Sequence, residues 1–331
     1  MYKVFVRPRD LNDATKHYVD IITSCLKNLG YKVEFVYSVK EISKDDRVLV
    51  ITLPGFIKAW LHNPFQDISM WFQGVTPEEC GMLFSGLKKY WKIFFNTILD
   101  FFAVHTAKRV MFVSETMLRH YRKKYRYRGK NYVIMPCFNQ AIEKDAFVDK
   151  KYDTPSFVYA GSLSKWQCIE GTLELFTHVK KEIPSASLTL LTGEQDKAKE
   201  LLDKFGIKDA VVKYVPYQEL NEELKKHKYG FLIREDVKVN NVATPTKMNS
   251  YMACGIIPVY SNVIGDFKEV FTGMKYKVDV TSSMDETIER IKDIEQTDII
   301  AEEVYNEYNK LFETYYSEKH YTPLITELFQ N

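Results

Sequence analysis

The chain lacks the residue patterns that mark metal sites, disulfide frameworks and membrane spans. Its five cysteines are scattered, and none forms a CxxC pair, which argues against a zinc site and favours a reducing compartment. No run of about 18 apolar residues occurs, so the sequence predicts no membrane-spanning helix. The first residues predict a β-strand and not a signal peptide. We therefore expect a cytoplasmic protein.

Charge and acidic clusters are also sparse. The net charge of +2 is too small to indicate a nucleic-acid partner, and we expect none. No DxD-type acidic pair and no histidine cluster is placed to hold a metal, so the sequence predicts no bound metal and no cofactor. What the chain does have is 331 residues, 45% of them hydrophobic, which is enough for about two domains with cores of their own.

Strand-like and helix-like segments alternate along both halves. Predicted strands cover residues 4–7, 32–37, 48–53, 68–73, 109–114 and 132–135, then 156–160, 188–192, 211–215, 229–234 and 256–260. Longer helical patterns cover residues 83–105 and 298–330, and a polar stretch at 139–155 separates the halves. The alternation predicts an α/β fold with two parallel sheets, each covered on both faces.

The segment from Thr244 to Val259 is the strongest site signal. It predicts a short helix with Thr244 as N-cap, Pro245 in the first turn and Gly255 at the end. A helix start attracts anions, and Thr246 and Lys247 add a hydroxyl and a full positive charge. The pattern indicates a phosphate site. The alternative is an ordinary capped helix with a surface lysine.

Further polar residues follow predicted strands of the second half. Gly161, Ser162 and Lys165 come after one strand, and Arg234 ends another. Ligands of open α/β sheets bind beyond the carboxyl ends of the strands, so we expect these residues to gather at one edge. The alternatives are a tight turn with a solvated Lys165, and local pairing of Arg234 with the two acids that follow it.

Several motifs carry a family resemblance. They are Pro245-Thr246-Lys247, Tyr251-Met252-Ala253-Cys254-Gly255, Pro258-Val259, Val158 to Leu163, Phe231 to Arg234, Val113-Ser114-Glu115, Trp71 to Val75 and Pro77-Glu78-Glu79. The first three resemble the donor-binding segment of retaining glycosyltransferases of the GT-B fold. The chain is most similar to glycosyltransferase family 4 (group 1), in its polysaccharide-assembly branch.

The resemblance implies an architecture and a reaction. Two Rossmann-like domains would face a central cleft, with residues 1–145 binding the acceptor and residues 150–300 binding the nucleotide sugar. Residues 301–331 would form a helical segment that crosses back onto the first domain. The reaction would be metal-independent sugar transfer with retention of configuration. The product would be a capsular or other cell-surface polysaccharide.

The resemblance also implies roles for single residues. Lys247, Arg234 and Lys165 would stabilise the diphosphate of a nucleotide-diphosphate sugar, with Lys165 replacing an arginine that the family often has at Ser162. Donor-binding residues would be Gly161, Ser162, Thr244, Thr246, Ser250, Val215 and Tyr217.

One departure from the family pattern concerns the ribose. The family has two glutamates eight positions apart, and the matching positions here are Val242 and Ser250. Ser250 can still donate a hydrogen bond, but ribose recognition must differ. This departure keeps two alternatives open, a non-catalytic nucleotide-sugar-binding protein and a GT-B sugar-nucleotide epimerase. An epimerase would need acids and histidines in the cleft, and the sequence offers no such set.

The acceptor side is predicted at Gln73, Gly74, Glu78 and Glu79, which follow a strand of the first half. A glutamate there would bind sugar hydroxyls or accept a proton from the glycan or lipid-linked acceptor. The alternative is a helix started by Pro77, whose acidic first turn complements the helix dipole.

A basic run from Arg119 to Lys130 contains no acid and has interleaved tyrosines. Upstream, the stretch from Lys88 to Phe95 mixes lysines with large aromatic residues. Both patterns are typical of contact with an anionic membrane surface, which predicts peripheral attachment to the inner face of the membrane. The alternative is a solvated helix face over core aromatics.

Overall fold

The structure, a computed structural model, describes residues 1–7, 10–11 and 13–330. It divides into two compact units. The first unit comprises Met1–Asn139, Asn241–Thr244 and Ser317–Asn331, and the second comprises Gln140–Asn240 and Pro245–Tyr316. Each unit contains one six-stranded sheet in which all the pairings are parallel. The predicted α/β class with two parallel sheets is confirmed.

The strands follow the predicted alternation closely. The first sheet contains β1 (Tyr2–Phe5), β2 (Val33–Val36), β3 (Arg47–Val50), β4 (Asp67–Phe72), β5 (Arg109–Phe112) and β6 (Tyr132–Ile134). The second contains β7 (Ser156–Ala160), β8 (Ser187–Leu191), β9 (Val211–Lys213), β10 (Tyr229–Leu232), β11 (Ile257–Ser261) and β12 (Val278–Val280). All residues of β1, β5 and β10 are buried, as expected for strands covered on both faces.

Helices connect the strands. They are α1 (Asp13–Asn28), α2 (Leu53–His62), α3 (Thr76–Leu83), α4 (Gly86–Thr106), α5 (Glu115–Tyr125), α6 (Ile169–Glu182), α7 (Gln195–Lys204), α8 (Leu220–Leu224), α9 (Lys238–Asn241), α10 (Thr246–Ala253), α11 (Gly265–Val270), α12 (Met284–Glu295), α13 (Ala301–Glu313) and α14 (Glu318–Gln330). The sequence did not predict α2, because Pro54 and Gly55 resemble a strand terminator. In the structure Thr52 caps this helix by accepting from Gly55 N at 3.3 Å.

The strand order of each sheet creates a crevice at its carboxyl edge. The orders are β2-β1-β3-β4-β5-β6 and β12-β11-β10-β7-β8-β9. In the first sheet the chain leaves β1 on one side to form β2 and then crosses to β3 on the other side. In the second sheet it leaves β7 for β8 and later returns to β10. These switch points, between β1 and β3 and between β7 and β10, are where ligands bind in such sheets.

The predicted C-terminal segment, residues 301–331, does not form one unit. Helix α13 belongs to the second unit, where the Tyr308 hydroxyl donates to Tyr276 O at 2.7 Å. Helix α14 belongs to the first unit, where Arg109 Nε donates to Leu328 O at 3.2 Å and the ring of Phe329 packs edge-on against Tyr2. The predicted segment is therefore divided between the two units, with α13 in the second and α14 in the first.

A buried acid joins α4 to α5. Asp100 of α4 accepts from the Tyr121 hydroxyl at 3.1 Å and from the Tyr125 hydroxyl at 3.4 Å. Asp100 is 1% exposed, and burial raises its pKa to about 7 despite the two hydroxyl donors. The folded protein therefore holds this carboxyl protonated at a pH where the unfolded chain, with the ordinary value of 3.8, has released the proton.

We expect the stability of the protein to fall as the pH rises from about 4 to about 7, because the folded state binds the Asp100 proton more tightly. The contribution is at most about 4 kcal/mol, from 1.36 kcal/mol per pKa unit. In Asp100→Asn the melting temperature should change less between pH 5 and pH 8 than in the wild type. Asp45→Asn, at an exposed position, is the control and should follow the wild type. Equal pH profiles for Asp100→Asn and the wild type would contradict this account.

Candidate functional site

The switch point of the second sheet collects the predicted phosphate-site residues. Gly161 directly follows β7, Arg234 lies two residues beyond β10, and Lys247 lies in the first turn of α10. The Lys247 ammonium lies 4.0 Å from the centroid of the Tyr159 ring and donates to Gln167 Oε1 at 3.1 Å. The structure thus brings three predicted residues, from separate segments of the chain, to one strand edge.

Two basic side chains, Arg234 and Lys247, share this site. Arg234 is 8% exposed, and its Nη1 donates to Trp166 O at 2.8 Å. Among the residues that the structure describes, no acid forms an ion pair with Arg234 or Lys247. Burial, with the Arg234 guanidinium nearby, lowers the pKa of Lys247 well below its usual value, and burial likewise lowers the pKa of Arg234. Such desolvated cations are costly until an anion pairs with them.

The loop after β7 lies close to Lys247. Gly161 has a φ of +139°, and a Cβ there would lie 3.3 Å from Lys247 Nζ. Ser162 is exposed, and its Oγ contacts Ser164 Oγ at 2.9 Å. Lys165 is also exposed and begins a 3₁₀ turn, Lys165–Gln167. Its ammonium has no ion pair or hydrogen bond within the described ranges, so it remains available to a ligand.

The start of α10 differs from the prediction at Thr244. Pro245 is the N-cap, and no side chain caps the helix. Thr244 is not the N-cap, because its hydroxyl accepts from Cys137 N at 2.9 Å and donates to Val113 O at 3.2 Å within the first unit. The hydroxyl of Thr246 has no described partner. An uncapped helix start with a hydroxyl beside it is suited to an anion.

The residues at the positions predicted to contact the nucleoside lie in both units and differ in their exposure to solvent. Val242 is fully buried in the first unit, where its carbonyl accepts from Ser114 Oγ at 2.5 Å. An acid there would be buried, which gives a physical reason for valine. Ser250 lies partly exposed on α10. Val215 packs partly buried against the core of the second unit, and Tyr217 is 44% exposed.

Sequence reasoning missed the aromatic framework of the site. The Tyr251 hydroxyl accepts from Ala160 N and donates to Phe231 O, both at 3.2 Å, so it joins β7 to β10 behind Lys247. A Cβ on Gly230 would lie 2.6 Å from the Tyr251 ring, so only glycine fits. A glycine inside a strand signals such a close approach, and that signal was available in the sequence.

The switch point of the first sheet contains a cavity of about 340 Å³. Arg7, Thr52, Gln73 and Glu79 contribute polar groups to its lining. Gln73 Nε2 donates to Ile51 O at 2.9 Å, which leaves its carbonyl oxygen for other contacts. Burial raises the pKa of Glu79, and a Cβ on Gly74, which also lines the cavity, would overlap the Glu79 carboxylate.

Glu78 is separate from this cavity. Its carboxylate pairs with Lys124 Nζ at 2.8 Å and with His120 Nε2 at 3.0 Å, which joins α3 to α5. Burial by itself would raise its pKa, but the hydrogen bonds from the His120 and Lys124 side chains hold the pKa below its usual range. Because these contacts of Glu78 join two helices of the first unit, they favour a structural role for this residue over binding of the acceptor.

Possible metal ligands do not converge in either unit. Across residues 1–7, 10–11 and 13–330, no group of three histidine, cysteine, aspartate or glutamate side chains could hold a metal ion. In the same ranges no helix has the length and apolar character needed to cross a membrane. The five cysteines are free thiols.

Solved structures share this fold at low sequence identity. Sucrose-phosphate synthase from Thermosynechococcus elongatus matches with a TM-score of 0.74 and 11% identity, over 99% of this chain and 98% of its own. WaaG, a glycosyltransferase involved in lipopolysaccharide biosynthesis, matches with a TM-score of 0.68 and 12% identity, over 98% and 100%. These matches confirm the GT-B fold.

A third structure is longer than this chain. TarM of S. aureus, solved in complex with fondaparinux, alpha-GlcNAc-glycerol and UDP, matches with a TM-score of 0.66 and 12% identity over 94% of this chain. The chain spans only 58% of the TarM chain. No curated protein matches the sequence.

The family model gives the sequence-level result. The model of glycosyl transferases group 1 matches residues 141–311, slightly more than half of the chain. The matched region contains Gly161, Arg234 and Lys247, the three residues that meet at the switch point of the second sheet. The chain belongs to the glycosyl transferases group 1 family.

Proposed function

We propose that the protein transfers a sugar from a nucleotide-diphosphate donor to a glycan or lipid-linked acceptor, with retention of configuration and without a metal. The observation that carries the proposal is the convergence of two basic side chains, Lys247 and Arg234, neither of which forms an ion pair with an acid in the described part of the chain. A diphosphate supplies the negative charge that this pair lacks. Retention rests on the resemblance to retaining GT-B enzymes.

The chemistry of the leaving group fits these residues. When the sugar leaves, negative charge grows on the terminal phosphate of the nucleoside diphosphate. The Lys247 ammonium and the N–H groups at the start of α10 would stabilise that charge without needing to reorganise. Lys165, which is exposed and unpaired within the described chain, would add a third cation. Because full positive charges of the protein meet the leaving group, the proposal does not require a metal.

The acceptor would bind in the cavity of the first unit. Gln73 and Thr52 offer hydrogen bonds to sugar hydroxyls, and the Glu79 carboxyl, whose pKa is raised by burial, offers a further polar contact. The first unit would thus recognise the hydroxyl-bearing substrate, and the second the nucleotide. A role in a cell-surface glycan is supported by similarity to WaaG, which is involved in lipopolysaccharide biosynthesis.

The alternatives differ in what they need at the cation pair. An epimerase needs acid–base groups there, whereas the contacts described for the Lys247 ammonium and the Arg234 guanidinium are with the Gln167 amide, the Tyr159 ring and the Trp166 carbonyl oxygen. A binding protein without activity needs only the anion site. The buried Val242, in place of the family's acid, is the observation that keeps this second candidate open.

The first test is a thermal-shift comparison of UDP, GDP, CDP and ADP, each with and without EDTA. We expect one diphosphate to raise the melting temperature by several degrees, because a ligand at about 100 times its Kd contributes about 2.7 kcal/mol. EDTA should leave that shift unchanged. No shift with any of the four, or a shift that EDTA removes, would contradict the proposal.

A turnover assay then separates the transferase from the binding protein. The sugar nucleotide of the selected base is incubated with the protein and glycan or lipid-linked acceptors, and the released diphosphate is measured. Release that depends on the acceptor supports transfer. Binding without release at any acceptor concentration would favour the non-catalytic alternative.

A further inference from the structure

Helix α4 exposes a large apolar face. Its buried residues are Asp100, Ala103 and Val104, all near its C-terminal end. Seven large apolar side chains of the same helix are between 48% and 81% exposed. They are Leu87, Tyr90, Trp91, Phe94, Phe95, Ile98 and Phe101, and we call them the α4 aromatic face. Soluble proteins rarely leave so many contiguous apolar groups in water, so a partner must cover this face.

The aromatic side chains form one continuous surface. They recur three or four positions apart, which places them along one side of the helix. The rings of Trp91 and Phe95 stack at 5.7 Å between centroids, and Phe94 packs edge-on against Phe95 at 5.8 Å. The face is therefore a preformed strip of rings and not a set of scattered residues.

Positive charge borders this strip. Lys88, Lys89 and Lys92 lie on the same helix, and no acid occurs between residues 80 and 99. The three lysines form no ion pair with any residue of the described ranges. The ammonium nitrogens of Lys88 and Lys92 instead lie 5.2 and 5.8 Å from the centroid of the Phe84 ring, within cation–π distance.

The basic run from Arg119 to Lys130 lies next to this helix. Its tyrosines are not part of an exposed surface, contrary to what the sequence suggested. Tyr121, Tyr125 and Tyr127 are buried, so the interleaved tyrosines belong to the core of the first unit. The exposed members of the run are Arg119, Arg122, Lys123, Arg126, Arg128 and Lys130. Because Asp100 joins α4 to α5, these cations lie near the C-terminal end of α4. The run supplies charge, and α4 supplies the apolar contact.

We propose that the α4 aromatic face binds the surface of an anionic lipid bilayer, with the helix lying in the headgroup layer. Tryptophan and tyrosine concentrate at this layer, and lysines beside an apolar strip meet anionic headgroups. Protein interfaces, in contrast, are depleted in lysine, which disfavours a second copy or another protein as the occupant. The inference rests on α4 and not on the donor site, and it gives the proposed transferase access to lipid-linked acceptors.

The test measures sedimentation of the protein with vesicles of phosphatidylcholine and phosphatidylglycerol, against vesicles of phosphatidylcholine alone. We expect binding to the anionic vesicles that weakens steeply with added salt. The affinity of the double variant Trp91→Gln/Phe95→Gln for the anionic vesicles should be lower by a factor of at least about ten. Replacing Lys88, Lys89 and Lys92 with glutamine should lower the affinity for the anionic vesicles about fivefold for each charge removed.

Matched controls keep the result interpretable. Tyr37→Gln removes an exposed aromatic residue outside α4 and should bind vesicles like the wild type. The double variant should still bind the nucleotide diphosphate, which shows that it is folded and that the donor site is a separate question. Equal vesicle binding by the double variant and the wild type would overturn the proposal. So would a wild-type dimer in solution that the double variant dissociates.

Discussion

Replacing Lys247 with methionine is expected to slow sugar transfer by about 10²–10³-fold while leaving the ligand-free protein at least as stable as the wild type. The rate falls because the ammonium that meets the leaving phosphate is gone. Stability is kept because methionine fills similar space and removes a desolvated charge beside Arg234. The measurements are kcat with the selected donor and the melting temperature without ligand.

The control for this variant is Lys199→Met, which removes an exposed lysine of α7 in the same unit. It should leave both kcat and the melting temperature unchanged. A Lys247→Met protein that transfers sugar at the wild-type rate would refute the site. A variant that is inactive and also unfolds at a much lower temperature would show that the lysine serves the fold instead.

Gly161→Ala is expected to abolish donor binding and to lower stability by about 1–3 kcal/mol, the usual cost of a strained backbone conformation. Residues other than glycine rarely adopt a φ of +139°, and the new Cβ would lie 3.3 Å from Lys247 Nζ and 3.5 Å from its Cε. The ammonium would have to shift by a few tenths of an ångström from its present position. Isothermal titration with the selected nucleotide diphosphate and thermal melting would measure the two effects.

Strain alone can be separated from the effect on the site. Gly206 also has a positive φ, +69°, but a Cβ there meets no atom within 4 Å. Gly206→Ala should therefore lose stability through backbone strain and keep full affinity for the nucleotide. If Gly161→Ala binds the nucleotide as well as Gly206→Ala does, the loop after β7 does not contribute to the donor site.

The alternation of elements was predictable because it depends on local pattern. Runs such as Tyr229–Leu232 are apolar throughout, and the helices between strands show clear periodicity. The three-residue edge strand Val278–Val280 was not predicted, because so short a run has no period to read. The split of the C-terminal segment also depends on tertiary packing, since α13 and α14 have similar apolar faces but pack in different units.

The candidate site was predictable only as far as strand ends and helix starts reveal it. Gly161, Arg234 and Lys247 follow such local signals, and the switch-point rule then brings them together. The role of Thr244 could not be predicted from local signals, because its hydroxyl forms hydrogen bonds with Val113 and Cys137, which are distant in sequence. Likewise, the pairing of Glu78 with Lys124 depends on how α3 packs against α5.

The position of α14 determines the order in which the molecule can be completed during synthesis. This helix packs on α1 and β6 and buries Tyr321, Ile325 and Phe329, yet the whole second unit is encoded between Asn139 and α14. At about 5–20 residues per second, the ribosome needs on the order of ten seconds to make that unit. The core of the second unit can close during this interval, while the apolar surface of α1 waits for its partner. The unit that starts first therefore finishes last, and the apolar surface that α14 covers stays exposed until then.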